Sequence, residues 1–105
     1  MSARLEYKTD CMEVYLDGEI DHHNAAIIRS GIDDALILRK PQLLVLDFGG
    51  VTFMDSSGVG LVMGRYRLVS AFGGKIELKG LSPSAYKMFC LSGLEALVKI
   101  HRACC

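Results

Sequence analysis

One stretch of this chain concentrates groups that can do chemistry. Asp55-Ser56-Ser57-Gly58 sets a carboxylate and two hydroxyls side by side, between Val51–Met54 and a helical apolar pattern. The first amides of a helix have no partner within it and point outward. In an open α/β sheet, loops beyond the strand ends are where function tends to sit. Three chemistries use such parts. Gly58, Gly60 and Gly64 suggest a dinucleotide loop, but that fingerprint needs its third glycine where Met63 stands. A Walker A loop needs Gly-Lys-Ser/Thr, and the chain has none. A hydrolase nucleophile elbow needs glycine two residues before its serine, where Met54 and Asp55 stand. His22, His23, His101 and Asp21 do not make a triad by being present. The third chemistry is a serine that accepts phosphate. A helix cap accounts for the same residues without any function: Asp or Ser caps, and Gly58 lets the chain turn.

The elements that must hold this segment follow from periodicity. Met12, Val14 and Leu16 alternate with Glu13, Tyr15 and Asp17, a half-buried strand. Leu5 and Tyr7 suggest a shorter strand before it, with Thr9-Asp10 as the turn. Asp21 caps a helix in which Ala25, Ile28, Ile32, Ala35 and Leu36 recur, and Lys40-Pro41 stops it. Leu43–Leu46 is an unbroken apolar run, as in a central strand covered on both faces, and Gly49-Gly50 reads as a turn. The helix after Ser57 puts Val59, Val62, Met63, Tyr66 and Val69 on one face and ends at Gly73-Gly74. Lys75–Lys79 alternates as a strand. Ser82-Pro83 opens a helix with Ala85, Met88 and Phe89 buried, and Leu97–Ile100 forms a last short strand. Strands separated by helices imply parallel pairing through right-handed crossovers.

Composition bounds the rest. The 105 residues fit one domain, 1–105, and the 50% hydrophobic content suffices for a core. Lys plus Arg is 12 and Asp plus Glu is 12, so the basic excess of a nucleic-acid binder is missing, as is a polybasic membrane patch. No apolar run approaches a membrane span, and the start lacks a signal-peptide core, which predicts a cytoplasmic protein. Cys11, Cys90, Cys104 and Cys105 lack zinc-ligand spacing. Cys11 and Cys90 read as small packing residues, and Cys104-Cys105 as exposed thiols. His22 and His23 are neighbours in a first helical turn and point in different directions, a poor arrangement for a metal. Neither a metal nor a cofactor is expected.

Phe53-Met54-Asp55-Ser56-Ser57-Gly58-Val59-Gly60, followed by Gly64-Arg65-Tyr66, resembles the motif of bacterial anti-sigma factor antagonists, the stand-alone STAS domains. Gly18-Glu19-Ile20-Asp21-His22-His23 is similar to that family's second motif, in the form of its sporulation branch, the anti-sigma F factor antagonists. Gly73-Gly74, Ser82-Pro83 and Leu91-Ser92-Gly93-Leu94 match further positions, and the resemblance runs from about residue 5 to about residue 100.

The resemblance implies a STAS fold, a small mixed β-sheet flanked by α-helices in an α/β class, and a protein that is not an enzyme. It implies two partners: an anti-sigma factor that is also a serine kinase, and a serine phosphatase. The kinase phosphorylates the serine after the motif aspartate, here Ser56, and the phosphatase restores the active form. The expected partner surface comprises Asp21, His22, His23, Asp55, Ser56, Ser57, Gly58, Gly60 and Arg65, on a chain that is monomeric when free. Gly58 and Gly60 are expected to permit close backbone approach, Arg65 to face the partner or solvent, and Ser57 to supply a cap hydroxyl. Sporulation-type relatives continue into a further helix beyond the last strand. Rival readings are a STAS module of a stress-response or other partner switch, and a small nucleotide-binding domain.

Overall fold

The computed structural model describes residues 2–101. Strand β1 (Ser2–Lys8) turns back at Thr9-Asp10 into β2 (Cys11–Ile20). Both turn residues have positive φ, 36° and 65°, the requirement of the tight turn whose twist matches a hairpin. Asp21 ends β2 and starts α1 (His22–Arg39) by accepting a hydrogen bond from the Asn24 backbone N–H at 2.8 Å. Lys40 closes α1 in the left-handed conformation, its N–H donating to the Leu36 carbonyl, and Pro41 prevents continuation. The chain proceeds through β3 (Leu43–Met54), α2 (Ser57–Ala71), β4 (Lys75–Lys79) and α3 (Pro83–Leu91). A 3-10 turn at Leu94–Ala96 then leads to β5 (Lys99–Ile100). Ser82 caps α3, its Oγ accepting from the Ala85 N–H, and Pro83 takes the first helical position.

The sheet order is β1-β2-β3-β4-β5, with β1 antiparallel to β2 and every other pair parallel. This is the small mixed sheet flanked by helices that the resemblance implies. One face carries Met12, Val14, Leu16, Leu44, Leu46, Phe48, Ile76 and Leu78. Against it pack Ile28, Ile32 and Leu36 of α1, Leu61, Val62 and Val69 of α2, and Ala85 and Phe89 of α3. Val59, Met63 and Tyr66, assigned to the same face of α2 from periodicity, are partly buried around that core.

Three sequence expectations give way here. The helices cover β3 on one face only. On the other face an ion pair crosses the strand beside the buried Val45, Lys79 Nζ to Glu13 Oε2 at 2.6 Å. Gly49-Gly50 is no turn: β3 runs through it to Met54. The β2 register shifts between Tyr15 and Asp17 and again between Gly18 and Glu19, so the pair bends without separating. A Cβ on Gly50 would lie 2.7 Å from Asp17 Cβ, so glycine is what lets the strands stay close. The last strand is shorter than expected because the N–H groups of Leu97 and Val98 donate back to the Leu94 carbonyl and continue the turn. Among the described residues, no helix is long and apolar enough to cross a membrane. Cys11 and Cys90 are half-buried free thiols, and Cys104-Cys105 lie outside the described residues.

Candidate functional site

Parallel pairing of β2 with β3 delivers two loops to the same edge of the sheet. Ile20 is in register with Met54, so Asp21 and Asp55 each follow a strand end at one level. The Asp55 N–H donates to the Ile20 carbonyl at 3.1 Å and ties the loops together. The N-termini of α1 and α2 therefore lie side by side, each with its positive dipole end outward. Asp21 is occupied in capping α1, and Asn24 Nδ2 donates to the Glu19 carbonyl at 3.2 Å.

At α2 the same task falls to Asp55. Its Oδ1 accepts from the Ser57 N–H at 2.8 Å, and its carbonyl accepts from the Gly58 N–H at 3.0 Å. Ser56 already has helical dihedrals, φ −63° and ψ −14°, and its side chain makes no capping hydrogen bond. Ser56 is exposed, while Asp55 and Ser57 are half-buried. The cap hydroxyl expected of Ser57 is thus replaced by the Asp55 carboxylate, because Ser57 sits inside the first turn and contributes its N–H instead. The result is an outward primary hydroxyl beside a carboxylate that is already engaged.

A crevice between the starts of the two helices is lined by His22, Ala25, Ala26, Arg29, Ser57 and Gly60 above Leu61. His22 and His23 are exposed, and the cationic Arg29 joins them, a residue the sequence reading did not single out. It lies one helical repeat beyond the motif, and only the packing of α1 on α2 brings it to the crevice. On the other flank, Phe53 is 52% exposed beside a groove that includes Ser82, Ser84 and Met88. Phe53 belongs to the motif, but its exposure was not legible from an apolar residue in a strand.

The glycines differ. A Cβ on Gly58 would collide with the Met54 side chain at Sδ and Cγ, so glycine here makes room for that side chain and the expected backbone approach is not what it serves. A Cβ on Gly60 would meet nothing within 4 Å. The expectation of close approach within the chain therefore fails at Gly60, which presents open helix surface.

Arg65 requires a larger correction. It is 4% exposed and faces neither partner nor solvent. Its Nε lies 2.7 Å from Asp33 Oδ1, Nη2 donates to Asp33 Oδ2 at 3.2 Å, and Nη1 donates to the Leu61 carbonyl at 3.2 Å. The fork clamps α2 to α1. Burial pulls the guanidinium below its ordinary pKa, and Asp33 opposes that shift. Two turns along α2 from the serine is the face that packs on α1, and the motif alone does not reveal it. Among the described residues, no group of three or more His, Cys, Asp or Glu side chains could hold a metal ion.

Comparison with known proteins adds lineage to this geometry. A family model for the STAS domain matches residues 2–104. The anti-sigma F factor antagonist of Lysinibacillus sphaericus is 40% identical over 95 residues, covering 90% of this chain and 81% of that protein. The structure of the anti-sigma factor antagonist SpoIIAA in its unphosphorylated form superposes with a TM-score of 0.82 at 36% identity, covering 96% of this chain and 89% of that one. The phosphorylated form of the Bacillus cell fate determinant SpoIIAA gives a TM-score of 0.75 at 36% identity, covering 96% and 92%.

Proposed function

The chain belongs to the STAS-domain family, and from that premise we propose that it is an anti-sigma factor antagonist switched by phosphate on Ser56. It binds an anti-sigma factor that is also a serine kinase and so frees the sigma factor, in sporulation control. It is substrate and binding partner in this exchange, and the catalytic groups belong to the kinase. The γ-phosphoryl group of ATP passes to Ser56 Oγ, the hydroxyl proton leaves, and ADP departs. A serine phosphatase hydrolyses the ester and restores the free hydroxyl. The protein works in the cytoplasm, where those partners and ATP are found.

One observation carries this reading: Ser56 is exposed in the first turn of α2 while Asp55 does the capping. A serine that held the helix end would have to release it in order to react, and this one does not. Similarity to SpoIIAA, solved in phosphorylated and unphosphorylated forms, supports the same reading. The partner surface is built from Asp21, His22, His23, Asp55, Ser56, Ser57, Gly58 and Gly60. Arg65 leaves that set and acts from beneath by holding α1 against α2.

Phosphosite mapping tests the proposal. The protein is incubated with MgATP and the host's anti-sigma kinase, and peptides are mapped by mass spectrometry for wild type, Ser56→Ala and Ser57→Ala. Phosphate on Ser56, lost in Ser56→Ala and kept in Ser57→Ala, is the expected result. Loss in Ser57→Ala alone, or no phosphate on a folded protein, overturns it.

A further inference from the structure

The β1 edge of the sheet carries a pattern the Ser56 site does not use. Register with β2 places Arg4, Glu6 and Lys8 on the open face, opposite Tyr15, Glu13 and Cys11. Leu5 and Tyr7 lie on the helix face and are each 37% exposed. Beside Leu5, α1 leaves Ile27 63% exposed. Leu5, Ile27 and Gly31 line an apolar groove between strand and helix. A Cβ on Gly31 would meet nothing within 4 Å, so the helix surface there is open to a close neighbour. Among the described residues β1 has a strand neighbour on one side only, and its outward N–H and C=O groups form a template for another strand.

We propose that a second copy of this chain docks on this edge, β1 antiparallel to β1 about a two-fold axis, joining two sheets into one. Charge selects both the occupant and the register. Centred on Leu5, the pairing keeps the whole of Ser2–Lys8 in the ladder, sets Arg4 against Glu6 of the second copy and Glu6 against its Arg4. It also sets Leu5 against Leu5 on the helix face. Slipping by one residue pair in one direction sets Arg4 against Arg4. Slipping in the other sets Glu6 against Glu6 and Arg4 against Lys8. The longest ladder is thus the one in which unlike charges meet.

Exposed ion pairs add little affinity, but like charges at the same places exclude the wrong register. Burial of Leu5 and Ile27 near the axis supplies the attraction. Antiparallel pairing reverses strand direction between copies, so the two Ser56 ends point to opposite sides and both stay open.

Sedimentation equilibrium on the full chain tests this, with wild type, Arg4→Glu, Glu6→Arg, the double exchange, and an equimolar mixture of the two single variants. Wild type should approach twice the mass of one chain as concentration rises. Each single variant should weaken association by at least about tenfold, because two attractive contacts become repulsive. The double exchange should restore it, and the mixture should associate more tightly than either variant alone. Ile27→Asp should weaken association while circular dichroism stays unchanged. The proposal is overturned if wild type keeps the mass of one chain at every concentration. It is equally overturned if charge exchange fails to rescue, or if chains assemble beyond two.

Discussion

Ser56 and its neighbour should respond in opposite ways to the same truncation. Asp55→Ala removes the acceptor of the 2.8 Å bond from the Ser57 N–H and the only carboxylate in the α2 cap. Loss of a cap side chain costs about 1 kcal/mol, and the accompanying loss of negative charge at a helix start adds about 0.3 kcal/mol or more. One kcal/mol moves the midpoint of a domain this size by roughly 4–8 °C, so a fall of about 5–10 °C is expected. Ser56→Ala removes an exposed hydroxyl with no capping bond and installs the best helix former at a helical position. Its effect should stay within about 0.5 kcal/mol and favour the folded state. Urea melts read both variants as midpoint shifts at unchanged slope, and the difference between neighbours should exceed about 1 kcal/mol. A destabilised Ser56→Ala beside a neutral Asp55→Ala would refute the reasoning. The serine would then be the structural cap, and its availability to a kinase would need another explanation.

Two further predictions concern charges away from the serine. Asp33→Ala leaves the buried Arg65 guanidinium with only the Leu61 carbonyl. Breaking a buried pair costs about 3–5 kcal/mol, and the part-exposed Asp33 side chain brings the expectation down to about 2–3 kcal/mol. Arg65→Met added to Asp33→Ala should recover most of that loss in the same melts, whereas no recovery would show that the fork itself holds the helices. At Glu13, hydrogen bonding to Lys79 holds the carboxyl below the usual glutamate range. The stabilisation is therefore complete above the unfolded pKa and is lost as pH falls through the folded one. Lys79→Met should flatten stability against pH on the acid side of about pH 4.5, by under about 1 kcal/mol for so exposed a pair. An unchanged acid limb would remove the Glu13–Lys79 bridge from the account.

The sequence showed those features whose cause is local. Asp21 with Asn24 three residues later, Ser82 before Pro83 and the alternation of Met12, Val14 and Leu16 each depend on residues close in the chain, and each is observed. Features decided by a distant partner were missed. Gly49-Gly50 resembles a turn until Asp17 of the neighbouring strand is seen against Gly50. Arg65 resembles a surface cation until Asp33, which is 32 residues away, supplies its counter-charge. Val45 resembles a residue under a helix, yet what crosses its strand is an ion pair from two other strands. At the site, the composition of the loop was legible. The division of labour between Asp55 and Ser56 was not, because a shift of one residue in the helix start exchanges cap and first-turn position.

That division of labour determines where a phosphate on Ser56 exerts its effect. Near the α2 start the group gains from the dipole, by about 0.3–1 kcal/mol at an exposed position, and is repelled by the adjacent Asp55 carboxylate. The two effects oppose each other, and neither breaks the bond from the Ser57 N–H that holds the helix end. The proposed phosphate would therefore leave the fold in place. A partner pressed against this surface meets something different: about 1.5–2 negative charges and a strong hydration shell where a hydroxyl had been. Unless the partner brings cations to that point, docking must strip the phosphate of water without return. The histidines and Arg29 lie on the neighbouring helix of this chain, so they do not replace a cation on the partner's side. A switch built this way acts through affinity while the domain itself remains rigid.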